Sequence, residues 1–110
     1  MAQLSFAETV YQACSKIPKG RVSTYGAIAR HLSSAPRAVG QALKRNPYAP
    51  KVPCHRVVAS TGHIGGFMGE SSGPEVNRKI SLLKEEGITI EAGQIKNFKE
   101  IMHMFYDKSS

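Results

Sequence analysis

A thiol, an imidazole and a guanidinium stand side by side in this sequence at Cys54, His55 and Arg56. Cysteine reacts as its thiolate, and nearby positive charge favours that anion. No Asp or Glu lies between Glu8 and Glu70, whereas nine Lys and Arg residues do. The segment therefore predicts a nucleophilic cysteine set in a positively charged surface. A neighbouring Cys-His pair does not have the spacing of metal ligands, so zinc is not expected.

The proton of this thiol needs an acceptor. Adjacent side chains of an extended segment point to opposite sides, so we expect His55 to act on Cys54 through a water rather than directly. A carboxylate would orient the imidazole, as in a catalytic triad, and Glu85 and Glu86 are the candidates. The second cysteine, Cys14, lies on the apolar face of a predicted helix and is interpreted as a core residue. For this chemistry the Cys54 thiol must be ionisable and open to a substrate.

Length and charge bound the possible functions. The 110 residues, 41% of them hydrophobic, suffice for one packed core. A net charge of +7 favours a polyanionic partner such as DNA, although an ordinary solvated basic surface is the plainer alternative. Two cysteines do not form a disulfide framework, no secretory leader opens the chain, and no apolar run is long enough for a bilayer. We expect an intracellular monomer that does not bind membranes, nuclear in a eukaryote and cytoplasmic in a prokaryote.

Local signals predict three helices in the first half. A Ser-x-x-Glu capping box at Ser5 begins a helix that Pro18 ends. Two short helices follow, one capped by the Ser-Thr pair at 23–24 and one beginning at Pro36. The second of them is basic on one side. Together they predict a helix-turn-helix over about residues 23–46.

The second half is more mixed. We predict a strand over 56–59, a glycine-rich loop at 62–74, and a fourth helix from Pro74 to a C-terminal cap at Gly87. A brief extended piece at 88–90 and a final amphipathic segment at 98–105 complete the chain. The predicted fold class is α/β but mostly α: one small helical domain with a helix-turn-helix and a short strand or extended active-site segment.

Six residues from Pro53 to Val58, with the sequence Pro-Cys-His-Arg-Val-Val, resemble the active-site signature of the O6-alkylguanine-DNA alkyltransferases, or methylated-DNA--protein-cysteine methyltransferases. Four further motifs agree in order and spacing: Thr24-Tyr25-Gly26, Arg37-Ala38-Val39-Gly40, Asn46-Pro47 and Glu86-Gly87. The resemblance covers about residues 5 to 90. It implies that 1–110 form a single DNA-binding domain similar to the family's C-terminal catalytic domain, with an active-site segment at 53–58 and a binding loop at about 62–74.

The resemblance implies DNA repair without a cofactor or metal. An alkyl group would pass irreversibly, in a single turnover, from the O6 position of guanine in duplex DNA to Cys54, after the base is flipped out through the minor groove. His55, with a bound water, and Glu86 would draw the proton from the thiol. Tyr25 would supply a proton to the guanine or help to rotate the nucleotide, and Asn46 would brace the turn around the site.

The resemblance also implies which residues contact the substrate. Arg37 would replace the flipped base in the stack, and small residues beside it would allow close approach. The implied DNA-binding residues are Arg37, Ala38, Val39, Gly40, Lys44, Arg45 and Arg56, and the implied pocket residues are Val57, Phe67, Met68 and Gly69. The implied partner is double-stranded DNA containing O6-alkylguanine, and other DNA-repair proteins are possible further partners.

Plainer structural interpretations stay open. Tyr25 could be a core residue, Asn46 a simple helix terminator, Glu86 a charge partner of Lys84, and the cations of the third helix a solvated face.

Two departures from the family pattern concern the reach of Arg37 and the shape of the pocket, and the altered loop favours a protein that only binds. The turn at 33–36 is shorter than usual, and Gly-Phe-Met-Gly-Glu at 66–70 replaces the usual tyrosine and small residues, in a loop that runs longer to Pro74. One alternative is an alkyltransferase-like protein, which binds alkylated DNA and hands it to another repair pathway; such proteins carry tryptophan where this chain has Cys54. Another is a helix-turn-helix regulator whose cysteine is incidental.

Overall fold

The first helix begins where the capping box predicts. The computed structural model describes residues 5–49, 51–64 and 74–105. Helix α1 (Phe6–Ser15) starts after Ser5, whose hydroxyl accepts a hydrogen bond from the backbone N–H of Glu8 while the Glu8 carboxylate accepts one from the Ser5 N–H. The helix ends before Pro18, as predicted. Cys14 is fully buried on its inner face, so the predicted core position of this cysteine is confirmed.

Two packed helices form the next part of the domain. Helix α2 (Tyr25–His31) and helix α3 (Pro36–Lys44) are joined by a short turn and pack against each other. The Thr24 hydroxyl accepts a hydrogen bond from the N–H of Ala27 at 2.9 Å and so caps α2. Pro36 lies in the first turn of α3, where a missing N–H costs no hydrogen bond. The predicted helix-turn-helix is confirmed.

The centre of the domain differs from the prediction in two respects. Cys54–Arg56 form a single 3-10 turn rather than an extended segment, and strand β2 (Val57–Val58) is shorter than the predicted strand at 56–59. Strand β2 pairs in parallel with β1 (Ser23–Thr24), which the sequence analysis treated only as a helix cap. Two-residue strands show no alternation of polar and apolar residues, so local patterns do not reveal this pair.

The remaining elements close the domain. Helix α4 (Pro74–Glu85) ends before Gly87, which takes the predicted cap position with a φ of +87°. Strand β3 (Ile90–Glu91) confirms the predicted extended piece, but its hairpin partner β4 (Gln94–Ile95) was not predicted. The predicted amphipathic segment forms only one helical turn, α5 (Phe98–Ile101), and continues to residue 105 without regular structure.

Two clusters of buried apolar side chains lie on either side of β2. The first is built mainly from α1, α2, α3 and the 3-10 turn, and it contains both cysteines. The second draws on α4, the β3–β4 hairpin and α5. Val57 belongs to the first cluster and Val58 to the second, because successive side chains of a strand face opposite sides. The mostly helical α/β fold class is confirmed. Within the described ranges, no helix is long and apolar enough to cross a membrane.

Candidate active site

Cys54 follows a loop that Asn46 holds in shape. The side-chain amide of Asn46 donates to the carbonyl of Val52 at 3.0 Å and accepts from the N–H of Tyr48 at 2.9 Å. The N–H of Cys54 donates to the same Val52 carbonyl at 2.8 Å. Asn46 is 2% exposed, so water does not compete for these bonds. The structure therefore places Asn46 beside the cysteine, at the turn that it was predicted to brace.

The thiol itself is more enclosed than the sequence hypothesis requires. Cys54 is only 4% exposed. Burial raises the pKa of Cys54, while its hydrogen bond with Asn46 and the charge of Lys79 act in the opposite direction without cancelling that effect. The expectation of an open, readily ionised thiol is corrected accordingly: at rest the cysteine is buried and protonated. A nucleophilic role thus requires a proton acceptor and entry of the substrate against the surrounding side chains.

His55, Arg56 and Glu86 form one hydrogen-bonded network. His55 Nε2 lies 3.0 Å from Glu86 Oε2. The Arg56 guanidinium donates to both carboxylate oxygens of Glu86, at 2.9 and 2.6 Å, and to the carbonyl of Ile17 at 2.8 Å. Burial by itself raises the pKa of Glu86, but the hydrogen bonds from Arg56 and His55 outweigh it and hold that pKa below its ordinary value. Of the two candidate glutamates, Glu86 is the one beside the imidazole, and Glu85 is exposed.

The second imidazole nitrogen is the proton-accepting atom of His55. Nδ1 is buried and has no hydrogen-bond partner among the residues that the structure describes. Because the Glu86 carboxylate accepts a hydrogen bond from Nε2–H, the lone pair of the neutral ring is on Nδ1. Burial lowers the pKa of His55, although the hydrogen bond to Glu86 acts to raise it. The ring is therefore neutral at pH 7 and able to accept a proton at Nδ1.

A buried lysine near the thiols was missed by the sequence analysis. Lys79 of α4 has no exposed surface, and its Nζ donates to the carbonyl of Val57 at 2.8 Å. Burial lowers the pKa of Lys79 to about 8, whereas nearby Cys54 and Cys14 act to raise it. Its charge in turn favours the thiolate of either cysteine. The available signal was its position among the apolar residues of the predicted fourth helix.

Tyr25 reaches the same region from the helix-turn-helix. Burial raises the pKa of Tyr25 to about 12, and the neighbouring Cys54 and Cys14 add to that effect. Its ring also packs on α3, where Cδ1 lies 4.0 Å from the position that a Cβ on Gly40 would take. A phenol with this pKa keeps its proton at neutral pH. It is therefore a hydrogen-bond donor that faces the cysteine region.

The predicted DNA-binding residues differ in how far the fold exposes them. Three predicted cations on α3 and just after it are exposed: Arg37, Lys44 and Arg45. Ala38 and Gly40 are half-buried beside them. Val39, in contrast, is fully buried in the core, so it fixes the position of α3 and presents no surface to a partner. Arg56 is also set apart from the exposed cations, because its guanidinium lies in the Glu86 network.

The substrate pocket is defined in part. Val57 is fully buried in the same core cluster as both cysteines. The other predicted pocket residues, Phe67, Met68 and Gly69, lie outside the described residues. In the described ranges, no three Cys, His, Asp or Glu side chains gather as metal ligands would.

The fold and the site define a small helix-turn-helix domain with a buried Cys-His-Glu arrangement. A family model described as "6-O-methylguanine DNA methyltransferase, DNA binding domain" matches residues 5–88. The chain belongs to this family.

Named relatives agree with that assignment. The methylated-DNA--protein-cysteine methyltransferase of Sulfolobus acidocaldarius is 44% identical over 88 residues, which cover 80% of this chain and 53% of the relative. The O6-methylguanine-DNA methyltransferase structure from Pyrococcus kodakaraensis has a TM-score of 0.66 at 47% identity, with 76% of this chain and 47% of that chain covered. The chain spans about half the length of the curated relatives it matches.

One solved structure matches over nearly its whole length. The crystal structure of S. pombe Atl1, in complex with damaged DNA containing O6-carboxymethylguanine, has a TM-score of 0.77 at 38% identity. The match covers 94% of this chain and 98% of that chain.

Proposed function

We propose that this chain repairs O6-alkylguanine in double-stranded DNA by transferring the alkyl group once, irreversibly, to Cys54. The observation that carries the proposal is the neutral His55 directly after the cysteine, bound through Nε2 to Glu86 at 3.0 Å. Such a pair converts a protonated thiol into a nucleophile at the moment of reaction. Membership of the methyltransferase family supplies the substrate class.

The thiol proton has a defined acceptor. In the proposed step the Cys54 sulfur attacks the alkyl carbon, the carbon–sulfur bond forms, and the carbon–O6 bond breaks with its electron pair passing to the guanine. His55 Nδ1 takes the thiol proton through a bridging water, and Glu86 stabilises the resulting imidazolium. The two hydrogen bonds from Arg56 keep Glu86 ionised for this task. Lys79 offsets the negative charge that develops on the sulfur.

The leaving guanine needs a partner as well. It departs as an anion, and the protonated phenol of Tyr25 donates a hydrogen bond to that anion. The product at Cys54 is a thioether, which has no leaving group at neutral pH. Each chain therefore acts once, and the reaction requires no cofactor.

The helix-turn-helix presents the duplex to this site. In the proposal α3 enters the minor groove, Arg37 fills the gap left by the flipped base, and Lys44 and Arg45 neutralise phosphates. The half-buried Ala38 and Gly40 let the DNA backbone approach closely. The whole chain acts as one DNA-binding domain, in which the loop at 62–74 completes the substrate pocket.

A second candidate is recognition of the damage without transfer. Two observations favour it: the near full-length match to S. pombe Atl1, and the buried, protonated state of Cys54 at rest. In this case the chain would bind O6-alkylguanine and hand it to another repair pathway. The presence of cysteine rather than tryptophan at position 54 makes transfer the primary proposal.

One titration distinguishes the two functions. A duplex with a single O6-methylguanine inside a restriction site is incubated with increasing amounts of protein. The amount of restored guanine is then measured as the amount of duplex that the restriction enzyme cleaves. Transfer predicts that cleavable duplex rises linearly with added protein to one guanine per chain, and that Cys54→Ser binds the duplex but restores none. Saturated binding with no restored guanine would instead assign the chain to the damage-binding class.

A further inference from the structure

The C-terminal segment, residues 102–105, forms a surface beyond the end of the family match. It is firmly attached: Met102 pairs with Val22 as an isolated parallel bridge, and the N–H of His103 donates to the Val22 carbonyl at 2.6 Å. Phe105 stacks on His31 of α2, with ring centroids 5.0 Å apart. The segment therefore lies along the start of β1 and the end of α2 in a fixed position.

Two hollows flank the exposed side chain of Met104, which is 45% exposed. One has a volume of about 290 Å³ and lies between the segment and the end of α2. The other has a volume of about 380 Å³ and lies between the segment and the residues just before β1. Both volumes lie at the small end of the ~300–1,000 Å³ range of ligand sites, and each hollow has room for an apolar side chain. Because Met104 lines both hollows, they form one surface, which we call the Met104 surface.

The Met104 surface is cationic as well as apolar. Arg30 lines the first hollow and Arg21 the second, and among the described residues that line the two hollows none carries a carboxylate. Arg21 donates to the main-chain carbonyl of Glu100 at 2.9 Å, and within the described ranges no carboxylate pairs with its guanidinium. The imidazoles of His31 and His103 complete the polar lining. Burial, reinforced by Arg21, lowers the pKa of His103, so its imidazole adds no positive charge at neutral pH.

We infer that the Met104 surface docks an acidic segment of another protein, which places one apolar side chain in each hollow. Two arginines match carboxylates, while the thioethers of Met102 and Met104 and the ring of Phe105 match apolar anchors. DNA also offers negative charge, but its apolar groups, the base faces and thymine methyls, lie within the stack and the grooves, so a peptide with freely projecting side chains fits two separate hollows better. None of these residues belongs to the Cys54 site, so the inference is independent of alkyl transfer.

A defined peptide tests the inference with the full chain. The probe is a fluorescein-labelled 12-residue peptide of Asp and Glu with Leu at its fifth and Phe at its eighth position. A control peptide carries Ser at both positions. Binding is followed by fluorescence anisotropy, and the contacted residues are mapped by 15N NMR. We expect the NMR shifts to concentrate at residues 102–105 and at the end of α2, and the control peptide to bind about tenfold more weakly.

Variants assign the binding to this surface. Met104→Ser should weaken probe binding about tenfold, and Arg30→Gln about threefold, whereas Lys84→Gln on the exposed side of α4 should leave it unchanged. Met104→Ser should also bind damaged duplex normally, which shows that the fold is intact. Failure of the probe to bind, equal binding of the Ser control peptide, or shifts centred on α3 would overturn the inference. So would displacement of the probe by an undamaged duplex that shifts residues 102–105, because the surface would then belong to the DNA interface.

Discussion

Cys14 and Cys54 lie in the same buried cluster, yet their surroundings give them different chemistry. Burial raises the pKa of Cys14 to about 12, with nearby Cys54 adding to the effect and the charges of Arg56 and Lys79 opposing it only in part. Burial also raises the pKa of Cys54, but there a hydrogen bond with Asn46 and the charge of Lys79 oppose it. His55 follows Cys54 directly and holds a buried, neutral nitrogen. A buried thiol therefore becomes a candidate nucleophile through the polar groups set around it rather than through exposure.

The largest expected effect separates the two thiols. Cys54→Ser should abolish alkyl transfer because a serine hydroxyl is a far weaker nucleophile at neutral pH, while binding of the damaged duplex should persist. Cys14→Ala should retain transfer, since Cys14 only fills the core. Restored guanine per chain is the measurement, with circular dichroism to check folding. A folded Cys14→Ala chain without transfer would show that the two cysteines do not differ as described.

The next effect concerns the network behind Cys54, which Cys14 lacks. Glu86→Gln should slow transfer about 100-fold, because the imidazolium formed at His55 loses its carboxylate partner. Glu85→Gln, one residue earlier and exposed, is the matched control and should leave the rate unchanged. Single-turnover rates with excess protein give the comparison. Equal rates for the two variants would remove Glu86 from the proton relay.

A smaller effect is expected from the buried lysine. Lys79→Met should raise the pKa of Cys54 further and slow its reaction with iodoacetamide near pH 8 about tenfold, because the thiolate loses a neighbouring positive charge. Lys84→Met on the exposed side of the same helix is the control. The rate of Cys54 modification is read from the labelled peptide as a function of pH. An unchanged pH profile in Lys79→Met would limit Lys79 to a structural role in the core.

The smallest effect is the pH dependence of the wild-type chain. The pKa of His55 is lowered below its usual 6.5, so the ring is neutral at pH 7 and gains a proton only as the pH falls through that lowered value. Transfer should therefore decrease by less than about fourfold between pH 7.5 and 6.0. Stability should fall in the same direction, because the unfolded chain binds the proton more readily. A transfer rate that rises on acidification would exclude neutral His55 as the acceptor.

Local sequence signals were sufficient for much of the fold. The capping box at Ser5, Pro36 in the first turn of α3 and Gly87 after α4 each act through neighbouring backbone groups, and the structure has all three. The family motifs also predicted that Glu86 accompanies His55, and the two side chains lie 3.0 Å apart. Pairing of β1 with β2 was not predictable from these signals, because it joins segments that are distant in the sequence.

The missed parts of the site depend on tertiary burial. Lys79 is a charged residue in a predicted amphipathic helix, and only the packing of α4 against the active-site segment places its side chain in the core. Arg56 was predicted to bind DNA, whereas in the structure its guanidinium donates hydrogen bonds to Glu86 and to the carbonyl of Ile17. The enclosure of Cys54 likewise depends on several elements at once. Such features follow from the assembled core, which no short motif describes.

Peptide mass mapping after reaction with damaged DNA tests the central claim most directly, because it reads both cysteines of one molecule. The chain is incubated with excess O6-methylguanine duplex and digested, and the masses of the Cys14 and Cys54 peptides are measured by mass spectrometry. We predict that the Cys54 peptide gains the mass of one methylene and the Cys14 peptide gains nothing. A bound duplex with both peptides unmodified, or a gain on Cys14, would contradict the proposed role of Cys54.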